Sequence, residues 1–465
     1  MRIALLTDGI YPHIMGGMQK HSYYLAKYLA RAGVKVDVYH AIPEGQPLPT
    51  TPEGFTEEEL QNLKFFPVHF PKPAKYPGHY IRESYIYSKK VYREFILQPQ
   101  PDFVYIQGFS GWAYLKRKDT KAQRKKNIVF SGINFHGVEM FQQAPSLKVK
   151  LEHLLLRPWV KWNLRLSDII FSLGGKLTHI QKQLSSAQNR IIEMPIGITK
   201  DWLIDEAPEQ KSKIRKFAFI GRYERRKGIE ELHSVLQQLI KEKQPFEFHF
   251  IGPIPEAKRL KSPTPPPWPH EGGKQPPHQT PSNQPIDLLT YRPNNLVPYS
   301  PSNLNSYLPN PLTSPSLTPW PPEGGNQPAT KTSNRLLAYS PTNLIYHGAI
   351  RNEKKIQQIL RDADVLVCPS WSEGMPTVIL EAMASGCAII ASDVGAVSEQ
   401  VDSDNGILKE PGNKKQLKEA MITVLNMDED KLLAMKKMSV DRIKGKFLWE
   451  QVAERTIQEI RKISL

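Results

Sequence analysis

The feature that most constrains this chain is residues 361–397, which read as strand, loop, helix, strand. Residues 365–368, Val-Leu-Val-Cys, form a short apolar run of the kind buried on both faces of a sheet, and 387–391, Cys-Ala-Ile-Ile-Ala, form a second. Between them Pro376 suits the first helical position, because its missing N–H would lack a partner there anyway. Gly386 suits the exit. Such a unit is a βαβ crossover, and its first loop opens at the carboxyl edge of a parallel sheet, where ligands bind. Two carboxylates flank the helix start, Glu373 in the loop and Glu381 inside the helix, so they can address two parts of one ligand. Unpaired backbone N–H groups near Met375, Thr377 and Val378 present oriented donors at the positive end of the helix dipole, which suits an anionic or hydroxyl-rich ligand.

These residues resemble a known family. Glu373-Gly-Met-Pro followed at eight residues by Glu381-Ala-Met-Ala is similar to the Glu-x7-Glu signature of retaining, nucleotide-sugar-dependent glycosyltransferases of family 4. The resemblance implies the α/β GT-B fold, in which two Rossmann-like domains with parallel sheets face a central cleft. It also implies roles. Glu373 would contact the donor sugar and stabilise charge developing at its ring, Glu381 would hold the ribose hydroxyls, and backbone amides of Gly374, Met375 and Thr377 would bind sugar and phosphate oxygens.

At 465 residues the chain is long enough for two ordinary domains with large cores. Residues 2–6 read as a buried strand, 7–17 as a loop, 18–32 as an amphipathic helix and 34–39 as the next strand, the opening of a Rossmann-like domain. In the loop, Gly16 and Gly17 let backbone approach a ligand and permit φ above zero, or else simply make a tight turn. The family resemblance places such a Gly-Gly loop over the donor phosphates and the acceptor pocket. His136 falls at the carboxyl end of a strand over 127–133. Alone it is as compatible with a structural histidine, but His136-Gly137 with Glu139 resembles the family element that lies against the donor sugar, which gives it a catalytic role beside Glu373. Where family members commonly carry Pro-Asn-Gly, this chain has Pro195-Ile196-Gly197.

The second domain opens with Gly221-Arg222 and Lys227-Gly228 around a loop. Arg is a planar fork and Lys a point charge, a suitable pair for a diphosphate. By resemblance Arg222 and Lys227 hold the departing nucleoside diphosphate. The expected organisation is an amino-terminal domain over 1–200, a carboxyl-terminal donor domain over 201–446, and a final helix over 447–465 that crosses back to the first. The donor domain is interrupted at 253–341 by a stretch holding 22 of the chain's 41 prolines, with Pro-Trp-Pro repeated at Pro267 and Pro319. That density excludes a packed core, so the stretch reads as a disordered or polyproline-like insertion.

The two cysteines, both expected inside strands, exclude a disulfide framework and fit a reducing compartment. No apolar run reaches the roughly 18 residues of a spanning helix, and the amino terminus does not read as a signal peptide, so a cytoplasmic protein is expected. The formal charge of +16 favours acidic partners without choosing among them. No nucleic-acid reading motif is present. Residues 111–165 hold 12 Lys or Arg and three acids, and 151–166 interleave leucines and tryptophans with cations. Two readings stay open for this helix, a domain helix with a solvated basic face or a peripheral contact with an anionic membrane. The expected partners are therefore a nucleotide-sugar donor, a hydroxyl acceptor and that membrane contact. No cofactor is expected, since the nucleotide-sugar is a substrate, and no metal is required, as no Asp-x-Asp motif faces the cleft. Two rivals share these observations: a GT-B nucleotide-sugar epimerase or hydrolase, and a non-catalytic scaffold.

Overall fold

A computed structural model describes residues 1–14, 16–43, 51–76, 78–118, 129–205, 214–261 and 342–464. The first sheet comprises β1 (Arg2–Leu6), β2 (Lys35–Pro43), β3 (Leu63–Phe70), β4 (Phe103–Gln107), β5 (Phe130–Asn134), β6 (Ile169–Ser172) and β7 (Arg190–Glu193). The second comprises β8 (Arg215–Ile220), β9 (Phe246–Ile251), β10 (Thr342–Gly348), β11 (Val365–Cys368), β12 (Ala388–Ser392) and β13 (Gly406–Lys409). Their orders are β3-β2-β1-β4-β5-β6-β7 and β10-β9-β8-β11-β12-β13. Each starts in the middle, winds outward, returns and winds to the other edge. Every strand pairing is parallel, so helices must cover both faces.

That is why the central strands read as unbroken apolar runs: Ile3, Leu5, Val104, Ile106, Phe217, Val365, Val367 and Ile390 are all buried. β2 runs four residues past its expected end at Tyr39, because the tail from His40 to Pro43 finds partners along β3 from Pro67 to Phe70. β10 pairs directly with β9, so the sheet resumes across the proline-rich stretch, of which 262–341 lie outside the described residues.

The two halves are tied by the carboxyl-terminal helix Trp449–Ser464. Ile198 bridges Leu448, and the Trp449 ring stacks against Tyr24 and Tyr28 of the helix Gly17–Arg31 in the first half. A Cβ at Gly197 would lie 2.6 Å from the Trp449 ring, which accounts for that glycine. Ile196, at the position where Asn is common, is buried, and its N–H reaches the Met375 sulfur at 3.3 Å.

Candidate active site

The loop after β11 and the loop after β8 meet at the carboxyl edge of the second sheet. Gly228 lets them do so, since it sits at φ 68° and a Cβ there would lie 2.0 Å from the Pro369 carbonyl oxygen. The Trp371 N–H then donates to the Arg226 carbonyl at 2.8 Å. This contact brings Lys227 Nζ to 2.7 Å from Glu373 Oε1 and Arg226 Nη1 to 3.8 Å from its Oε2. The buried Ser370 hydroxyl donates to Oε1 at 2.7 Å. Burial alone would raise the Glu373 pKa, but Lys227 first and Arg226 second overcome it and hold the carboxyl below its ordinary value. The result is an ionised carboxylate flanked by two cations.

The opposite wall comes from the first sheet. The segment after β5 carries His136, whose carbonyl oxygen would stand 2.3 Å from a Cβ on Gly374, so only glycine permits this approach. Gln142 donates to both the Gly137 and Glu373 carbonyls, at 2.6 and 2.7 Å. Glu139 pairs with Arg226 at 3.3 Å. Val138, between them, is buried at φ 38°, a left-handed backbone that a β-branched residue adopts only under strain.

Behind this contact runs a buried relay. His136 Nε2 lies 2.9 Å from Gln107 Oε1, and Gln107 Nε2 lies 2.9 Å from His21 Nδ1. The amide of Gln107 therefore sets both tautomers: His136 carries its proton on Nε2 and leaves Nδ1 as an acceptor, while His21 carries its proton on Nε2. Burial lowers the His136 pKa to about 3, so the ring is neutral. His21 faces a narrow cavity with Lys20, Tyr24, Thr377, Glu381 and Trp449 on its walls. There burial pushes Glu381 up to about 7, opposed by Lys20 and reinforced by Glu353. Lys20 Nζ pairs with Glu353 at 2.8 Å.

Two backbone expectations, for Pro376 and Gly16, meet corrections here. Pro376 caps the helix Thr377–Ala384 instead of opening it, with ψ 117° in the extended region. Gly16 has φ 174°, extended backbone, so no positive φ is used there; a Cβ would fall 2.1 Å from Gln19 Oε1 and would displace the amide that donates to the buried Asp8 at 3.0 Å. Gly17 faces open space. Arg222 lies at the rim, 60% exposed and paired with Glu224 at 3.0 Å, so it does not join the Glu373 cluster. The Met375 side chain is buried packing, which leaves only its backbone for a ligand. Sequence reasoning missed Lys20, Gln107 and Arg226. Arg226 adjoins Lys227, and Lys20 lies in the first turn after the Gly-Gly loop, which were the available signals; Gln107 ends an apolar strand beside Gly108 and gave only its polarity. Among the described residues no group of three His, Cys, Asp or Glu is arranged to hold a metal ion.

Comparison with known proteins bears on this geometry. Residues 15–180 match the family model Glycosyltransferase Family 4, and residues 324–427 match Glycosyl transferases group 1. The chain belongs to the family 4, group 1 glycosyltransferases. Among curated members, it is 34% identical over 134 residues to an alpha-maltose-1-phosphate synthase of Mycolicibacterium smegmatis, covering 28% of this chain and 35% of that one. It is 36% identical over 136 residues to an alpha-1,3/1,6-mannosyltransferase of Neurospora crassa, covering 29% of each. The chain thus matches about a third of the length of these relatives. Among solved structures, a sucrose-phosphate synthase from Thermosynechococcus elongatus superposes with TM-score 0.64 at 16% identity, covering 100% of this chain and 99% of that one. An E. coli trehalose-6-phosphate protein bound with UDP-2-fluoro glucose superposes with TM-score 0.60 at 12% identity, covering 99% of each. These likenesses, with the two parallel sheets, establish the GT-B architecture of this glycosyltransferase-family chain.

Proposed function

We propose that this chain transfers a sugar from a nucleoside-diphosphate donor to a hydroxyl acceptor, with retention at the anomeric carbon. The observation that carries the reading is Glu373, held ionised by Lys227 and Arg226 where the His136 segment of the other half closes on Gly374. The cations balance the charge that the diphosphate gains as the glycosidic bond breaks, and preset charges of this kind stabilise a transition state without reorganising. Arg222, at the rim, reaches the same phosphates from outside. Glu373 faces the sugar ring as it becomes positive. His136 offers Nδ1 and its backbone to sugar hydroxyls, and amides of Gly374, Met375 and Thr377 take sugar and phosphate oxygens. Glu381 binds the ribose from within the cavity that it lines with Lys20, and the Gly16-Gly17 loop lies over the donor phosphates.

Retention follows a same-face course in which the leaving phosphate takes the acceptor's proton while the acceptor oxygen bonds to the anomeric carbon. No cofactor or metal is required by this scheme. The acceptor is a glycan, lipid-linked saccharide or polyol, and an anionic membrane surface is a further partner. The buried, unpaired Cys368 and Cys387 fit a cytoplasmic setting.

The test is proton NMR of the product's anomeric coupling during turnover, with donor KM measured for Arg222→Ala. Retained configuration and a raised KM are expected. An inverted product would overturn the same-face course, and loss of donor without any acceptor product would mark a hydrolase or epimerase.

A further inference from the structure

The helix Leu147–Leu166 is apolar on two opposite faces. One face, through Val160 and Leu164, is buried in the first half. The other is bare. Leu147, Leu151, Leu154, Leu155 and Trp159 are 80, 65, 45, 48 and 42% exposed, five of the eleven exposed large apolar side chains among the described residues. Their spacing of three, four and seven residues puts them on one stripe, since neighbours on a helix surface recur at i+3 and i+4. A helix with two apolar faces and one partner leaves the second face for something outside the chain.

Charge says what that something is. Lys150 lies beside Leu147 and Leu154 at those spacings, Lys148 beside Leu151, and Lys161 beside Pro158, so ammonium groups rim the stripe; Lys148 and Lys150 are exposed. Arg157 is otherwise engaged, donating to the Met140 carbonyl at 2.8 Å. Trp159 has one side against Trp112, with ring centroids 5.3 Å apart, and the other toward solvent, the half-immersed placement an indole takes at a headgroup boundary. A leucine stripe with a lysine rim matches a bilayer with anionic headgroups, in which the leucines enter the acyl boundary while the lysines stay at the phosphates.

We propose that this face of the helix Leu147–Leu166 docks the protein on an anionic lipid bilayer, lying in the interface and not crossing it. Among the described residues no helix is long and apolar enough to span a membrane. The docking face is tied to the cleft: Arg157 holds the helix to the segment whose Gln142 reaches the Glu373 carbonyl, so a docked protein presents its cleft close to the lipid surface.

The experiment is vesicle flotation of the full chain, which needs no turnover and so is independent of the glycosyl-transfer reading. Vesicles of phosphatidylcholine alone are compared with vesicles containing phosphatidylglycerol, at low and high salt, for wild type, Leu151→Gln/Leu155→Gln and Lys148→Glu/Lys150→Glu. The substituted side chains are exposed, so circular dichroism and thermal unfolding should match wild type and certify the fold. Wild type is expected to float with the anionic vesicles only and to detach in salt. The leucine variant should lose binding, and the lysine variant should bind at least about thirtyfold more weakly, from roughly one kilocalorie per mole for each of the two cations removed. Failure of wild type to float on anionic vesicles overturns the proposal, as does flotation of both variants at the wild-type level. Absence of vesicle binding together with a concentration-dependent dimer that Leu151→Gln/Leu155→Gln dissociates would assign the face to a second copy instead.

Discussion

Replacing Lys227 by Met removes the nearer of the two charges that keep Glu373 ionised inside the protein. Glu373 is almost fully buried, and the Lys227 side chain is 21% exposed, so water does little to screen the pair. Removing one partner of a buried pair typically costs about 3–5 kcal/mol, because the other charge is left uncompensated. Here Arg226 remains at 3.8 Å and the Ser370 hydroxyl at 2.7 Å, so the expected loss is smaller, about 2 kcal/mol at neutral pH. The pH dependence has a definite sign. In wild type the Glu373 pKa is depressed, so its contribution is present at neutral pH and is lost as pH falls through that depressed value. In Lys227→Met burial dominates, the folded pKa rises, and the variant's deficit shrinks as pH falls and the carboxyl becomes neutral. Urea unfolding of wild type, Lys227→Met, Glu373→Gln and the double variant, at pH 7 and at pH 4, measures the coupling directly. A deficit below about 0.5 kcal/mol, or one that does not change with pH, would refute this account of what holds Glu373 ionised.

Gly374→Ala should cost about 1–3 kcal/mol, since its Cβ would meet the His136 carbonyl and neither backbone atom yields easily, whereas Gly17→Ala, facing open space, should stay within about 0.5 kcal/mol; thermal unfolding of the pair checks this. Glu381 has its folded pKa raised from 4.5 to about 7, so its contribution to stability is lost as pH rises across that window, and Glu381→Gln should flatten the pH profile of the melting temperature there. Gln107→Leu leaves His136 Nε2 and His21 Nδ1 without their partner, at about 1–3 kcal/mol, and 15N NMR of labelled histidines should show both rings losing their fixed tautomers. An unchanged histidine spectrum would count against the relay.

The central strands were legible because they are short apolar runs buried on both faces, and the turn residues around them, such as Gly386 at φ 82°, sit where the backbone needs them. The Glu373 loop was legible too, since its chemistry is local. What local pattern could not supply was contact between distant residues. Lys227 reads from sequence as a diphosphate ligand, and the fold places it on Glu373, 146 positions away along the chain. Arg222, its expected companion, is outside the cluster, and Arg226, four residues further along the same loop, is inside it; the path of the loop decides which cation reaches Glu373, and residue type does not report it. The helix Leu147–Leu166 stayed open for a similar reason. Periodicity shows that both of its faces are apolar, but only packing shows which one the protein covers. Gly16 was read for close backbone approach and for positive φ; its φ is extended, and what a Cβ there would meet is the Gln19 amide, which sequence alone does not place.

The central claim is that the cleft around Glu373 transfers sugar to an acceptor. The most direct measurement is release of nucleoside diphosphate from a panel of sugar nucleotides, with and without membrane extract as acceptor source, for wild type and Glu373→Ala. The account predicts release that requires the acceptor and is lost in Glu373→Ala while the variant remains folded. Release at the same rate without acceptor, or donor binding with no release under any condition, would contradict it.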